Sequence, residues 1–285
     1  MLAFALIILS SVMNLVEGTL IKRYNGKHTK GGFIFTAMVS LFSMLFFLLT
    51  DTGGLDFRAE MIPYGIVSGI FYFSASFLTF VALGCGPFAL SMLIISYSCV
   101  FSIAYGIFFL KDEISIFTVM GIILIFVSLF LNRSEKKAEE KKASLKWLIC
   151  IGVSFFGNGM LGVLQKMQQI KFNNEITNEY MVVTLSFSAL TLFIIGFIKD
   201  RKYVGSIFRY GSIYSSVAGI SNGATNFLLL TVNTLLPLSI VAPVRAGTKI
   251  VLAFIMSVAI FKEKFLKRQV AGVIVGAIAL ILLNI

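Results

Sequence analysis

Ten apolar segments follow one another along the chain, and short polar or turn-forming connections separate them. A helix that crosses a membrane needs about 20 predominantly apolar residues, which is roughly the length of each segment. The segments lie at about residues 2–22, 31–50, 61–83, 88–110, 114–132, 146–166, 177–198, 209–232, 237–261 and 268–284. The pattern predicts an all-α integral membrane protein with ten transmembrane helices.

Two uncharged stretches are each too long for a single span. Residues 61–110 contain no charged side chain, and the sequence Gly84-Cys85-Gly86-Pro87 breaks them near the middle. Residues 210–244 are also uncharged, and Asn233 and Pro237 mark a turn within them. Glycine and proline are the strongest local signals for turns. We expect two closely connected helices in each stretch, and this parallel suggests an internal duplication.

Alignment of the two halves of the chain indicates an inverted repeat. A shift of 151 residues aligns Lys111 with Lys262, Asp112 with Glu263 and Gly121 with Gly272. A shift of 144 residues aligns Asn14, Gly18 and Lys22 with Asn158, Gly162 and Lys166. Each half has an odd number of spans, five, so the second half must cross the membrane in the opposite direction. We therefore expect two inverted five-helix repeats, at residues 1–132 and 146–285.

The distribution of Lys and Arg predicts the orientation of the chain. The connections on one side carry 18 of these residues, including those of the polar linker at 133–145, and the connections on the other side carry 4. Cytoplasmic loops hold the excess of Lys and Arg in membrane proteins. The linker should therefore be cytoplasmic, and both termini should lie outside the cytoplasm. The expected location is the plasma membrane.

Composition agrees with this pattern and excludes several classes of protein. The chain is 58% hydrophobic and 13% charged, against roughly 45–50% and 25% in soluble domains. Its net charge of +11 is divided among short connections, so no nucleic-acid partner is expected. The first segment has no preceding basic region and no small-residue cleavage site. It is therefore expected to be a retained span rather than a signal peptide.

Three ionisable side chains lie inside predicted spans. Such a residue costs roughly 2.5–3.5 kcal/mol on insertion scales and usually faces a cavity or a partner. Arg245 and Lys249 lie near the middle of the ninth span, four residues apart and therefore on one helix face. Glu17 is the only acidic residue expected to be buried within a span, and it cannot neutralise both. Either an anionic substrate group supplies the missing charge, or Glu17 forms a structural bridge with Arg245 or Lys249.

Other charged residues lie closer to the ends of the spans. Glu17 could bind and release a coupling proton or cation, or it could reach the membrane interface, since it lies only five residues before Lys22. Lys22 and its repeat partner Lys166 are expected to anchor their helices, as cations at span ends commonly do. Asp112 and Glu263 precede helices, where a carboxylate interacts favourably with the helix dipole.

Six further polar residues lie near the midplane of other spans. They are Asn14, Tyr72, Tyr97, Asn158, Asn222 and Asn226. Such side chains either line a central cavity or hydrogen-bond neighbouring helices together, and the repeat makes Asn14 and Asn158 the best substrate-binding candidates. The cysteines Cys85, Cys99 and Cys150 show no metal-binding or redox spacing. We expect them to be small core residues.

The arrangement of helices and turns resembles the drug/metabolite transporter superfamily, and its EamA-like ten-helix branch is the best match. Each half carries an acidic residue nine positions before a helix glycine, Asp112 before Gly121 and Glu263 before Gly272. The segment Asn14–Lys22 is also similar to the first helix of the small multidrug exporters of this superfamily. There the proton-coupling glutamate corresponds to Asn14. In ten-helix relatives both termini are commonly cytoplasmic, opposite to the orientation that the Lys and Arg distribution predicts.

No pattern typical of an enzyme occurs in the sequence. The single histidine, His28, lies in a basic loop, and there is no catalytic motif, metal-ligand cluster or ATP-binding loop. We therefore expect no catalytic residue, no metal and no cofactor.

Taken together, these features predict a secondary transporter that moves a small polar metabolite by alternating access, with an anionic or zwitterionic group favoured. The alternatives are export of amino acids or drug-like compounds and translocation of a lipid-linked head group. The expected partners are a small-molecule substrate, a coupling proton or cation, and the lipid bilayer. The sequence leaves the oligomeric state open.

Overall fold

A computed structural model of the protein describes residues 2–27, 31–51, 53–111, 115–131, 145–262 and 266–282, and these ranges contain helices and connections but no strand. The helices of the first half are α1 (Leu2–Lys27), α2 (Gly32–Thr50), α3 (Ile62–Cys85), α4 (Phe88–Ser96), α5 (Cys99–Phe109) and α6 (Ile116–Leu131). Those of the second half are α7 (Leu145–Lys171), α8 (Thr177–Lys199), the single turn α9 (Val204–Ser206), α10 (Ser212–Leu235), α11 (Leu238–Phe261) and α12 (Lys267–Leu282). Short 3₁₀ and π segments flank α9, at Arg201–Tyr203 and Ile207–Gly211.

Six segments of the described chain are long and apolar enough to cross a membrane. They are Leu2–Gly26, Gly32–Thr50, Ile62–Cys85, Phe88–Phe109, Leu145–Lys171 and Thr177–Lys199. In lipid every backbone polar group must find a partner inside the protein, and a helix provides this within one segment. The protein is therefore an all-helical, multi-pass membrane protein. Of the other long helices, α10 and α11 carry the polar residues described below, and α6 and α12 have 16 residues each.

Residues 88–110 were predicted to form one helix. They form a single candidate span that consists of two helices. α4 ends at Ser96 and α5 begins at Cys99, with a tight turn at Tyr97 and Ser98 between them. The backbone N–H of Tyr97 donates to the carbonyl oxygens of Leu93 and Ile94, at 3.1 and 3.2 Å. The break carries no glycine or proline, which is why the sequence pattern did not indicate it.

Helices from the two halves pack against each other throughout the bundle. α1 contacts α10 and α11, α3 contacts α7 and α8, and α2 contacts α8 and α10. α4 and α5 contact both α7 and α11, and α6 contacts α12. The central helices therefore come from both halves of the chain.

Two hydrogen bonds from a backbone N–H to a carboxylate join the ends of α8 to α2 and to the connection that follows α2. At one end the N–H of Asp56, in the α2–α3 connection, donates to Oε1 of Glu179 at 2.9 Å. At the other end the N–H of Phe33 in α2 donates to Oδ2 of Asp200 at 2.9 Å. We call these two hydrogen bonds the end ties. Hydrogen bonds to a charged acceptor are stronger than neutral ones, so the end ties fasten α8 to the start of α2 and to the segment after its end.

A glycine allows α10 to approach α2 closely. A Cβ atom on Gly219 would lie 2.6 Å from the carbonyl oxygen of Val39 and 3.2 Å from the backbone nitrogen of Ser43. Backbone atoms cannot move aside alone, so we expect Gly219→Ala to lower the free energy of unfolding by roughly 1–3 kcal/mol, the usual cost of overpacking. Thermal unfolding of the purified protein in detergent measures this.

The matched control is Gly152→Ala on α7, where an added Cβ meets nothing within 4 Å. Alanine is a better helix former than glycine, so this variant should melt at the temperature of the unmodified protein or slightly above it. Equal melting temperatures for the two variants would contradict the close α2–α10 contact.

Several sequence-based expectations lie outside the described residues. They concern the loop histidine His28, the capping candidates Asp112 and Glu263, and the linker 133–145 except for Leu145, which begins α7.

Candidate functional site

A cavity of about 150 Å³ lies among α1, α3, α5, α7, α10 and α11. Eight of the nine predicted site residues line it: Asn14, Glu17, Tyr72, Asn158, Asn222, Asn226, Arg245 and Lys249. These residues are as much as 235 positions apart in the chain, so packing of helices from both halves brings them together. The ninth residue, Tyr97, is not part of the lining.

Glu17 is held in the cavity by amide groups. Nδ2 of Asn222 donates to both of its carboxylate oxygens, at 3.0 and 3.1 Å. Nδ2 of Asn14, one turn earlier on α1, lies 3.5 Å from Oε2 of Glu17. Hydrogen bonds from neutral donors satisfy the carboxylate without neutralising its charge.

Asn222 is the centre of this polar network. Its Oδ1 accepts hydrogen bonds from the Tyr72 hydroxyl, from Oγ of Ser43 at 2.9 Å and from Nδ2 of Asn226 at 3.1 Å. Asn226 in turn accepts a hydrogen bond at 3.4 Å from Nε2 of Gln165. The network joins α2, α3, α7 and α10 to Glu17 on α1, and it leaves Asn222 no spare acceptor capacity.

The two cations on α11 have no such partners. Four residues apart on one helix face, Arg245 and Lys249 both line the cavity, and Lys249 is only 8% exposed. Nε of Arg245 is buried without an acceptor. Among the described residues, no acidic oxygen lies within 4.0 Å of either cation and neither makes a hydrogen bond. The cavity therefore holds the buried Lys249, the partly buried Arg245 and one acid, and no bridge from Glu17 to either cation forms among the described residues.

Metal ligands are not assembled in this cavity. Within the described ranges, no group of three or more His, Cys, Asp or Glu side chains could hold a metal ion. The polar groups of the lining are amides, hydroxyls, one thiol and the three charged residues. This chemistry suits the binding of a small polar molecule.

Comparison with protein-family models gives a match to the EamA-like transporter family over residues 1–134. Residues 1–134 are thus similar to EamA-like transporters. The match confirms the resemblance to the drug/metabolite transporter superfamily, and this family implies a membrane transporter of that type. EamA-like proteins are transporters and not typically enzymes.

Solved structures share the fold. One of the 28 matching chains, titled "Crystal structure of protein", has a TM-score of 0.59, with 13% sequence identity and 95% of both chains covered. At this identity the likeness concerns the fold alone. Comparison with curated proteins gave no match.

Tyr97 lies away from the cavity. Its hydroxyl donates to Oγ of Ser128 at 2.6 Å, and Ser128 donates to the carbonyl oxygen of Gly272 at 2.6 Å. Tyr97 thus links the α4–α5 turn to α6 and α12. It acts as an interhelical hydrogen-bonding residue, the other interpretation open to a polar residue in a span.

The paired lysines, Lys22 and Lys166, do not line the cavity either. Nζ of Lys166 donates to the carbonyl oxygen of Asn233 at 2.9 Å. Nζ of Lys22 lies 5.6 Å from the centre of the Phe88 ring, a cation–π distance. Both contacts join the lysine to a neighbouring helix, as expected of anchoring residues.

Two residues of the cavity lining, Gln165 and Cys99, were not predicted from the sequence. Gln165 lies beside Lys166, where the apolar segment was expected to end, but α7 continues to Lys171 and Gln165 is buried. A glutamine inside a long apolar helix was the available signal. Cys99 gave no signal, because a neutral cysteine in an apolar segment is typical of a core.

Proposed function

We propose that this protein is a secondary transporter that moves a small polar metabolite with an anionic or zwitterionic group across the plasma membrane. The pair of cations on α11 carries the proposal. Arg245 and Lys249 face the cavity without an acidic partner within 4.0 Å in the part of the chain that the structure describes. A buried charge without a partner is costly, and an anionic group of the substrate supplies that partner.

The other lining residues take roles that follow from their positions. Asn14, Asn158, Asn222, Asn226 and Tyr72 orient the polar remainder of the substrate. Glu17 is the coupling site, which takes up a proton or cation on one side of the membrane and releases it on the other. Both termini lie outside the cytoplasm in this proposal, since the 18 Lys and Arg residues of one side are then cytoplasmic.

We further propose that the protein has two inverted repeats of five spans each, in which α4 and α5 count as one span, and that transport occurs by alternating access between them. The helix contacts support this. If each helix is exchanged for its counterpart in the other half, the α1–α10 contact becomes α7–α3 and the α2–α10 contact becomes α8–α3. All four contacts occur.

Two equivalent turns give independent support to the repeat. Lys111 follows the fourth span with a φ of 58°, and Lys262 follows the ninth span with a φ of 52°. A positive φ is uncommon for a residue other than glycine. The two residues are 151 positions apart, which is the shift that aligns the halves.

A thermal-shift screen tests the proposed substrate class. The purified protein in detergent is heated with inorganic phosphate, succinate, alanine or choline, which represent anions, a zwitterion and a cation. A ligand present at about 100 times its dissociation constant stabilises a protein by roughly 2.7 kcal/mol. We expect the anions or alanine to raise the melting temperature of the unmodified protein. Arg245→Gln and Lys249→Gln should lose most of this stabilisation.

The matched control is Lys267→Gln, which removes an exposed cation at the start of α12. It should respond to each compound as the unmodified protein does. Stabilisation by choline alone, or an undiminished response of both α11 variants, would contradict the proposal.

A further inference from the structure

The break between α4 and α5 brings the beginning of a helix to the cavity. Ser98, Cys99 and Ser102 all line it, and Cys99 is the first residue of α5, an 11-residue helix. The N-terminus of a helix carries a partial positive charge, and broken helices in transporters direct such ends at anionic groups.

The cations of α11 lie near the beginning of α5. Cys99 belongs to the same buried cluster as Ala242 and Ala246 of α11, which lie on the face that carries Arg245 and Lys249. Both cations are electrostatic neighbours of the Cys99 thiol. Lys249, more than nine-tenths buried and without a hydrogen-bond partner in the described ranges, faces the cavity.

The unfilled hydrogen-bonding capacity at this end of the site consists of donors. Nε of Arg245 and the ammonium of Lys249 both lack acceptors among the described residues. By contrast, the carboxylate of Glu17 already accepts from Asn222. A ligand that completes the site must therefore bring oxygen acceptors with negative charge, as a carboxylate, sulfonate or phosphate group does.

We infer that Cys99, Arg245 and Lys249 form an anion subsite in which an oxyanion group lies against the Cys99 thiol at the beginning of α5. This rests on the proposed function and deepens it, because it selects an anionic group and adds Cys99 as a specificity-determining residue. An oxyanion and a group attached to the Cys99 sulfur compete for the same space. The oxyanion can belong to a free metabolite or to a lipid headgroup.

The rate of thiol modification tests the subsite. In the background Cys85→Ala/Cys150→Ala, Cys99 is the only thiol. Purified protein is treated with an anionic reagent, 2-sulfonatoethyl methanethiosulfonate, or a cationic one, 2-(trimethylammonium)ethyl methanethiosulfonate. The Cys99 sulfur forms a disulfide with the thioalkyl sulfur of the reagent, methanesulfinate leaves, and the thiol proton passes to water. Intact-protein mass spectrometry follows the product.

We expect the anionic reagent to react at least about tenfold faster than the cationic one. A cleft lined by charges of one sign raises the local concentration of ions of the opposite sign by roughly 10-fold or more. Lys249→Gln in the same background should bring the two rates close together. Lys267→Gln should leave their ratio unchanged. Inorganic phosphate or succinate, or phosphatidylglycerol added to the micelle, should slow the modification.

Protection by the soluble anions assigns the subsite to a free metabolite, and protection by phosphatidylglycerol alone assigns it to a lipid headgroup. Equal rates for the two reagents, modification of Cys99 only after unfolding, or no protection by any anion would overturn the inference. If the anions still stabilise the protein through Arg245 and Lys249, only the assignment of Cys99 fails. If no anion or zwitterion stabilises it in the thermal-shift screen, the proposed function fails as well.

Discussion

Proteoliposomes that contain the Glu17→Gln variant are expected to lose uptake driven by a pH gradient while they retain exchange of the substrate. Glu17 is the only acidic residue that lines the cavity in the described chain, so it is the group able to carry a proton through the cycle. Glutamine keeps the size of the side chain and one oxygen that can accept from Nδ2 of Asn222, which now lies 3.0 Å from Oε1. The site should therefore remain assembled. Only the ability of residue 17 to gain and lose a proton should be lost.

The measurement compares two initial rates for the anion that stabilises the unmodified protein most. One is uptake into vesicles with an imposed pH gradient, which should fall to the background of empty vesicles. The other is exchange with vesicles loaded with the same compound, which should continue. Glu175→Gln is the matched control, because Glu175 pairs with Arg58 outside the cavity, with its side chain 56% exposed. Gradient-driven uptake that survives in Glu17→Gln would show that another group carries the coupling ion.

The Asn222→Leu variant is expected to lose the most stability of any single change in the cavity. The substitution keeps the branched shape of the side chain but leaves the hydroxyls of Tyr72 and Ser43 and the carboxylate of Glu17 without the partner they now share. Each buried polar group that loses its partner costs roughly 1–3 kcal/mol. Water in the cavity will recover part of this, so we expect a loss of roughly 3 kcal/mol or more.

Asn158→Leu is the matched control for this variant. Asn158 also lines the cavity, but its Nδ2 donates only to the carbonyl oxygen of Ser154, in its own helix, at 2.8 Å. Interhelical bonds in membrane proteins average about 0.6 kcal/mol, and a bond within one turn should contribute no more. Melting temperatures in detergent should therefore separate the two variants widely. Similar melting temperatures would contradict the central role of Asn222.

Much of the helical architecture could be predicted because the bilayer restricts what a chain can do. Spans must be apolar, long and internally hydrogen-bonded, so segments such as 31–50 and 177–198 predict α2 and α8 closely. The charged site residues were also predictable. Glu17, Arg245 and Lys249 are too costly to face lipid, and the structure shows all three at one cavity.

The remaining features of the site depend on contacts between segments that are distant in the chain, and local sequence patterns do not encode such contacts. The Tyr97 hydroxyl donates a hydrogen bond to Ser128 and does not line the cavity, because a hydroxyl in a span can bond to whichever helix is adjacent. Asn222 resembles Asn226 in the sequence, yet only Asn222 contacts Glu17 directly. Cys99 lines the cavity next to the break between α4 and α5, and no glycine or proline in the sequence marks this break. Side chains with one polar group and several available partners are therefore the least predictable part of the site.

The end ties limit which parts of the transporter can move. They fasten α8 to the start of α2 at one end, through Asp200, and to the connection after α2 at the other, through Glu179. Separation of α2 from α8 would break these hydrogen bonds, so we expect the two helices to move as one unit. A pathway to the cavity should then open by displacement of α4, α5 and α11 relative to this unit. The break beside Cys99 lies among the helices that are expected to move.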